Sequence, residues 1–379
     1  MNLEPNNEQR LLAQSVESVL AHHYVPGFRA EAVESELGWS AQTFQALAEL
    51  GVTGLTIAEA DGGVGAGAAE VYVVLEQLGR KAAAEPLLDG VFLPAWLLCA
   101  LGGARLSPSA LAEGEHTFAL AHAEPGRDWD LAPTTTASTQ GESAAVSGVK
   151  SPVAHADHAQ HYLVTAVDEH GEFALYAVDA AAAGIARVDG RTTDWTHASQ
   201  LTFTDAPATL LATGAEARQA FAVSIAKARI AIAAEAVGVM ESGLAQVVEY
   251  LRSRKQFGVT LSMFQALVHR AADLYAEIEL ARSTALWATA KVAEFDGGAQ
   301  VDLSAIADDA FVFVAGVARG AAEEIIQLHG GIGMTYESDV SHLAARLTAI
   351  TQSFGGIAAA QRRAVTAPSA LSTPEATAA

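Results

Sequence analysis

The spacing of apolar residues changes twice along this chain, and this change constrains the fold more than any other sequence feature. Residues 7–115 and 213–364 repeat apolar positions at helical spacing, as in LLAQSVESVLAHHY and AEVYVVLEQLGR. Residues 117–210 instead break into short pieces such as TFALAHA, HYLVTAV and EFALYAV, separated by Gly, Asp and Pro. Because helices and strands are segregated along the chain, the sequence predicts an α+β fold, mostly α, rather than an alternating βαβ sheet.

The same changes predict the domain organisation. We expect an N-terminal helical domain over residues 1–116, a central β-domain over 117–212 and a C-terminal bundle of long helices over 213–365. A chain of 379 residues is long enough for two or three such units, each with its own core. Residues 366–379, TAPSALSTPEATAA, have too little apolar surface to offset the entropy of ordering them, which predicts a flexible tail.

Composition restricts the partners and the compartment. The net charge of −22 repels phosphate backbones and anionic membranes, so we expect no nucleic acid partner. No apolar run reaches the about 18 residues of a membrane span. The start, MNLEPNNEQR, has no secretory pattern, and we expect a cytoplasmic protein without membrane contact. The single cysteine, Cys99, lies in LPAWLLCALGG, which predicts a buried, inert thiol rather than a nucleophile.

Two local patterns resemble known ligand motifs but lack the required context. The segment GGVGAG, residues 62–67, has no strand before it and no βαβ unit around it, so we expect a plain loop rather than a dinucleotide site. His155, His158 and His161 in HADHAQHY would converge on a metal only if this segment were helical. Its flanks are typical of strands, which predicts surface or hydrogen-bonding histidines and no metal site.

Two segments of the C-terminal region have the residue types that hold an anionic ligand. RSRKQFG, residues 252–258, ends a long helix, and the Arg254 guanidinium is suited to bidentate phosphate contacts. An equally good interpretation is that these arginines offset the dipole at the end of the helix. QLHGGIGM, residues 327–334, also ends a helix. A helix cap needs one glycine, whereas this segment has three, Gly330, Gly331 and Gly333. The additional glycines favour a ligand held close to the main chain.

At these two segments the sequence resembles the acyl-CoA dehydrogenase family, in which R-K-x-F-G, then F-Q or H-Q, then Q-x-x-G-G-x-G recur in that order. The resemblance covers roughly residues 10–365, includes GVTGLTIAEADGGVGAG, and implies a helical domain, a β-domain and a C-terminal four-helix bundle. It implies that FAD lies between subunits and that its adenine and pyrophosphate contact Arg254, Gln256, Phe257, Phe264, Gln265, Gln327, Leu328, Gly330 and Gly331. Arg229, in AKARIAIAAEAVGVM, falls where the family has an arginine beside the acyl-CoA substrate; the alternative is a charge on the helix surface.

The sequence departs from the family pattern at the catalytic base. The family usually has Y-E-G-T near its end, with the glutamate as base, whereas this chain has SFGGIAAAQRR and Gly355 at that position. Residues 357–359 replace polar residues that commonly contact FAD, and Ala228 occupies the other position where some members place the base. In the β-domain, AHAEPGRDWD replaces T-E-P-x-A-G-S-D, and residues 152–154 replace the W-x-T segment beside the flavin ring.

These variants are similar to the small subunits of two-gene acyl-CoA dehydrogenases of the pimeloyl-CoA and steroid side-chain types. The resemblance implies an FAD-containing subunit that acts in the α,β-dehydrogenation of an acyl-CoA, with the base supplied by a partner subunit and an electron-transfer flavoprotein as acceptor. One alternative is a homodimer that uses another acid, such as Glu235 on the helix of Arg229. Others are a scaffold or regulatory chain that has lost the cofactor, and a flavin-dependent oxidase or monooxygenase.

Overall fold

The structure, a computed structural model, describes residues 5–103, 105–140 and 143–366. Its first part is helical, as expected, and α1 begins with a capping box in which Asn6 Oδ1 accepts the Gln9 N–H at 2.9 Å. Residues 62–67 form a loop before the fourth helix, which confirms the plain-loop prediction. The helices of this part are α1 (Asn7–His23), α2 (Phe28–Glu34), α3 (Ala41–Glu49), α4 (Ala68–Arg80), α5 (Leu93–Ala100) and α6 (Ser109–Ala112).

A strand region follows, and its sheet closes on itself. The strands are β1 (Phe118–Ala121), β2 (Thr136–Gln140), β3 (Ser143–Ala154), β4 (His161–Val167), β5 (Phe173–Asp179), β6 (Ile185–Arg191) and β7 (His197–Thr213). They pair in the order β4–β2–β3–β7–β5, and β5 pairs back to β4. In addition, β1 pairs with β4, and β6 pairs with β7. Residues such as Tyr162, Tyr176 and Phe203 alternate inward and form a core separate from that of the helices.

Long helices make up the last part of the chain. They are α7 (Gly214–Ser253), α8 (Gln265–Asp296), α9 (Leu303–His329), α10 (Asp339–Ile350) and α11 (Gly356–Thr366), and a small hairpin of β8 (Lys255–Gln256) and β9 (Val259–Thr260) separates α7 from α8. The α7 helix packs against α8, α9 and α10 and also against α4. The observed order confirms the predicted fold class, a mostly helical α+β chain with a central β region.

The crossing of α4 and α7 depends on one glycine from each helix. A Cβ at Gly79 would lie 2.1 Å from the Glu235 carbonyl oxygen, and a Cβ at Gly238 would lie 2.0 Å from the Glu76 carbonyl oxygen. The two backbones are therefore in contact, an approach that a side chain at either position would prevent. This crossing fixes the middle of α7, which carries Arg229, against the N-terminal helices.

Cys99 and the end of the chain differ in part from the expectations. Cys99 is exposed near the end of α5, so the expectation of a buried thiol is wrong. The thiol lies in the last turn of the helix, where apolar sequence does not guarantee burial, although partial burial and the nearby Asp61 still raise the pKa of Cys99. Thr366 belongs to α11, and residues 367–379 of the predicted tail lie outside the described residues. In the described chain, the helices are too short or too polar to cross a membrane.

Candidate functional site

Arg254 lies at the corner between α7 and the β8–β9 hairpin. Its main chain is fixed, because its N–H donates to the Tyr250 carbonyl at 2.8 Å and its carbonyl accepts the Leu261 N–H at 2.9 Å. Its side chain is exposed and forms no ion pair within 4.0 Å among the described residues. In a chain of net charge −22, an unpaired guanidinium fixed at its base is available to an anionic ligand.

The hairpin presents aromatic surface beside this arginine. Phe257 adopts φ 54° and is 91% exposed, and its ring meets that of Phe264 edge-on with centroids 6.1 Å apart. Gln265 follows as the first residue of α8 and is also exposed. A nearly bare phenylalanine in a strained loop is unfavourable in water, so this corner is suited to contact with another molecule.

The second predicted segment lies at the end of α9 and contacts the first. The His329 ring packs on the Tyr250 ring of α7 at 4.9 Å, one turn before Arg254. Gly330 adopts φ 68°, and a Cβ at Gly330 or Gly331 would meet nothing within 4 Å. The outer side of these two glycines is therefore open within one chain, and the ligand expected against them stays a prediction.

The two segments together place most of the predicted cofactor residues on one connected surface. Arg254, Gln256, Phe257, Gln265, Gln327, Gly330 and Gly331 are exposed, and Phe264 is half-buried. Leu328 differs, because its side chain is buried in the helical core and only its main chain is near this surface. Each motif contains both a helix end and exposed residues that project from it, and their role in cofactor binding stays a prediction.

At the position of the usual catalytic glutamate, Gly355 lies directly against Trp129. Gly355 adopts φ 91°, and a Cβ on it would lie 2.8 Å from both Cβ and Cγ of Trp129. Phe354, before it, also has a positive φ of 51° and packs edge-on against the Trp129 ring at 6.4 Å. A glutamate at this position would need both a strained backbone and displacement of the indole, because packed protein atoms fill the space beside Gly355.

His122 holds Trp129 in place. The two rings pack at 4.4 Å, and His122 Nε2 and the Trp129 carbonyl oxygen are 2.9 Å apart, while Nδ1 is 2.9 Å from Thr165 Oγ1. Burial lowers the pKa of His122 to about 4, so the ring is neutral near pH 7. With one proton, Nε2 donates to the Trp129 carbonyl and Nδ1 accepts from the Thr165 hydroxyl, which fixes the tautomer.

A buried ion pair anchors the loop that carries Trp129. Lys150 is 0% exposed, and its Nζ donates to Glu124 at 2.9 Å and to the His122 carbonyl at 3.1 Å. Burial lowers the pKa of Lys150 to about 8. Burial also opposes the charge on Glu124, but hydrogen bonds from Thr134, Thr135 and Lys150 hold the pKa of Glu124 below its ordinary value. Sequence reasoning missed this pair, whose signal is a glutamate in AEP and a lysine in GVK.

Arg229 is buried next to Gly355, so the alternative of a helix-surface charge is wrong. Its Nη2 donates to the Phe354 carbonyl at 2.7 Å and its Nη1 to Asp308 at 3.1 Å. Asp308 also accepts two hydrogen bonds from Arg363, at 2.8 and 2.9 Å. Burial first, and then the charge of Arg363, lowers the pKa of Arg229 to about 10, which leaves it charged at pH 7. Arg229 thus holds the main chain beside Gly355.

Glu235 belongs to a different network. Both of its carboxylate oxygens accept hydrogen bonds from Arg346, at 2.5 and 2.9 Å, and Arg346 also donates to Asp194 at 3.1 Å. Arg29 lies 3.6 Å from the same Asp194 carboxylate. Since both oxygens are engaged by one buried guanidinium, this geometry argues against Glu235 as a substitute base.

The three histidines of HADHAQHY do not converge. His155 is buried, contrary to the expected surface position, while His161 on β4 packs edge-on against Phe118 at 4.9 Å. His158 Nε2 is 2.9 Å from the Glu36 carbonyl oxygen, as expected for a hydrogen-bonding histidine. The structure instead brings His158 together with Asp157 and with His197, which is 40 residues from Asp157 in sequence. That separation is why the sequence pattern did not reveal the group.

Comparisons with known proteins cover both helical parts of the chain. Residues 6–99 match the model of the acyl-CoA dehydrogenase N-terminal domain, and residues 218–368 match that of the C-terminal domain. The acyl-CoA dehydrogenase IpdE2 of Mycobacterium tuberculosis is 30% identical over 344 residues, covering 89% of this chain and 90% of that protein. This chain belongs to the acyl-CoA dehydrogenase family. The probable acyl-CoA dehydrogenase YngJ of Bacillus subtilis is 27% identical and covers 90% and 93% of the two chains.

Solved acyl-CoA dehydrogenase structures have the same fold. A variant of the Tcur3481–Tcur3483 steroid acyl-CoA dehydrogenase aligns with a TM-score of 0.86 and 29% identity, over 95% of this chain and 97% of that one. The ChsE4–ChsE5 complex of Mycobacterium tuberculosis aligns with a TM-score of 0.86 and 24% identity, over 99% and 100%. Family members carry FAD, as in a glutaryl-CoA dehydrogenase of Mycobacterium smegmatis solved with FADH2, at 19% identity, a TM-score of 0.84 and 96% and 94% coverage.

Proposed function

We propose that this chain is a subunit of an FAD-dependent acyl-CoA dehydrogenase and that a partner subunit carries the catalytic base. The observation that carries this proposal is the contact between Gly355 and Trp129, because it fills the space that a glutamate side chain would need. Two buried carboxylates, Glu235 on α7 itself and Asp308 beside Arg229, are both paired with arginines. A chain with this packing supports the enzyme without removing the proton itself.

The exposed surface at the ends of α7 and α9 fits the adenine and pyrophosphate end of FAD. Arg254 supplies an unpaired guanidinium, the side chains of Gln256, Gln265 and Gln327 supply amide groups, and the open main chain at Gly330 allows close approach. FAD held there would supply the hydride acceptor for α,β-dehydrogenation of an acyl-CoA, a reaction that also needs a carboxylate to take the α-proton. This chain's residues hold the dinucleotide, and the carboxylate comes from elsewhere.

A partner of the same fold explains the apolar surface around the cofactor residues. Exposed side chains in this region are Phe257, Met263, Val268, Ile332 and Met334. Apolar side chains clustered beside a charged ligand site are typical of an interface with another subunit. The structural neighbour ChsE4–ChsE5 was solved as a complex of two named components, which is consistent with a heteromeric assembly.

Purification of the chain alone and with the product of the neighbouring gene tests the proposal. We expect the complex to hold bound FAD that is bleached by an acyl-CoA, and the isolated chain to give no bleaching. Flavin content, subunit ratio and turnover with an artificial acceptor are measured on both samples. Full turnover by the isolated chain would contradict the proposal, and a complex without flavin would favour the alternative of a scaffold that has lost the cofactor.

Arg254 and Arg252 provide a matched pair of variants for the cofactor site, because both are exposed cations at the end of α7. Loss of a charge-assisted contact costs about 1.5–3 kcal/mol, so Arg254→Gln in the complex weakens FAD binding about 10–100-fold. Arg252→Gln should weaken it less than about fivefold, as for a surface charge. The Kd is measured by flavin release, and equal effects of the two variants would show that only the overall charge matters.

A further inference from the structure

We propose that Asp157, His158 and His197, here called the Asp157 cluster, form a binding site for a divalent cation of the zinc type. The cluster lies in the turn after β3 and at the start of β7, on the side of the β region that faces Glu36 and Gly38 of the N-terminal part. It is independent of the proposed flavin surface, which lies at the ends of α7 and α9.

The donor atoms are close enough to share one ion. One donor atom from each of the three side chains lies within 4.8 Å of the others. His197 Nδ1 is 2.5 Å from Asp157 Oδ2, and His158 Nε2 is 3.4 Å from the same oxygen. Donors bound to zinc at about 2.0–2.1 Å are about 3.4 Å apart at tetrahedral angles, so small rotations of these side chains would suffice.

The Glu36 carbonyl oxygen lies beside the cluster, 2.9 Å from His158 Nε2. Two imidazole nitrogens and one carboxylate oxygen make a three-donor set suited to a borderline cation such as Zn²⁺, which holds water in its fourth position when the protein supplies three ligands. A thiolate is not needed for such a site.

An orphaned carboxylate oxygen points to a ligand independently of these distances. The Asp157 side chain is 7% exposed, and its Oδ1 is buried without a hydrogen-bond partner among the described residues. A buried carboxylate oxygen without a donor is unfavourable, and a bound cation would compensate its charge.

The main chain holds the cluster in place. The His155 N–H donates to the His197 carbonyl at 3.1 Å, and Arg187 Nη1 donates to the Asp157 carbonyl at 2.9 Å. Gly38, at φ 73°, lies so close to the His197 ring that an added Cβ would be 2.6 Å from Cδ2. Such support orients ligands before the ion binds, which is typical of built metal sites.

The alternative is a hydrogen-bonded clamp that joins the β region to Glu36 without any ion. In this alternative His158 donates to the Glu36 carbonyl, as the 2.9 Å distance allows, and His197 donates to Asp157. Both interpretations predict that removal of Asp157 lowers stability, so stability alone does not distinguish them. Metal stoichiometry does, because the clamp binds no ion.

The test uses the untagged full-length chain, stripped with a chelator, incubated with Zn²⁺ and dialysed. We expect about one zinc per chain by elemental analysis, as for a site with three protein donors and one water, and tetrahedral cobalt absorption after exchange with Co²⁺. His158→Gln is the mild variant, since His158 is partly exposed, and Asp157→Asn is the second. Each should weaken zinc binding beyond the about 10–100-fold loss that follows removal of an outer hydrogen-bond partner.

His170→Gln is the control, because His170 is an exposed histidine 3.7 Å from Glu169 and outside the cluster. It should leave the zinc stoichiometry unchanged, and circular dichroism should confirm that every variant is folded. Loss of zinc from the wild-type chain on dialysis would overturn the proposal in favour of the clamp. So would retention of as much zinc by His158→Gln and Asp157→Asn as by the wild type.

Discussion

Gly355→Ala should destabilise the protein because the added methyl group meets Trp129. The perturbation adds one Cβ, which would lie 2.8 Å from Trp129 Cβ, 2.8 Å from Cγ and 3.2 Å from Cδ1. Two terms contribute. A non-glycine residue at φ 91° costs about 1–2 kcal/mol or more, and overpacking against the indole costs about 1–3 kcal/mol. The expected loss in the free energy of unfolding is therefore about 2–5 kcal/mol.

A double-mutant cycle with Trp129→Gly separates the two terms. Trp129→Ala removes the contacts to Cγ and Cδ1, whereas Trp129→Gly also removes the Cβ contact. In the Trp129→Gly background, Gly355→Ala should lose only the backbone term, which gives a coupling energy of about 1–3 kcal/mol. Urea unfolding followed by circular dichroism gives the four free energies. The loss of stability caused by Gly355→Ala in the Trp129→Ala background should lie between its values in the wild type and in the Trp129→Gly background.

Gly356→Ala is the matched control, because this neighbour also has a positive φ, 74°, but its Cβ would contact Thr351 and Gln352 rather than Trp129. Its coupling to Trp129→Gly should be within about 0.5 kcal/mol of zero. If Gly355→Ala and Trp129→Gly were also additive within that margin, Trp129 would not be what closes the position of the base, and the reasoning from this contact would be refuted.

The remaining predictions concern helix packing and pH. Gly79→Ala should cost about 1–3 kcal/mol of stability, because its Cβ would lie 2.1 Å from the Glu235 carbonyl oxygen. Gly316→Ala, on the open side of α9, should instead gain about 0.5–1 kcal/mol. Equal effects of the two variants in thermal unfolding would refute the close crossing. Burial raises the pKa of Glu85 from 4.5 to about 7. A raised carboxyl pKa in the folded state means that stability falls as pH rises from 4.5 to 7 and then levels off. Relative to Glu85→Gln, the wild type should lose about 3 kcal/mol across this window, and a flat difference in urea unfolding would contradict it.

Much of the candidate cofactor surface was predictable from sequence, because its residues lie in two short motifs at helix ends. Arg254 to Gln265 form a continuous corner, and Gly330 follows its helix directly, so local spacing fixed the arrangement within each motif. The contact of His329 with Tyr250, which joins the two motifs, is tertiary. Leu328 was the exception, since whether a side chain in the last turn faces the core depends on the helices packed against it. The expectation for Cys99 was wrong for the same reason, because its side chain, also in the last turn of a helix, is exposed rather than buried.

The sequence alone determined the segregation of helices and strands, the positions of the helix ends and the absence of a glutamate at position 355, because these depend on local periodicity and residue identity. Only the tertiary structure decided what replaces the glutamate and where the buried charges pair. The contacts of Gly355 with Trp129, of Arg229 with Phe354 and of Asp157 with His197 join segments far apart in sequence. Packing density and the pairing of buried polar groups select such contacts, and neither leaves a periodic signal along the chain.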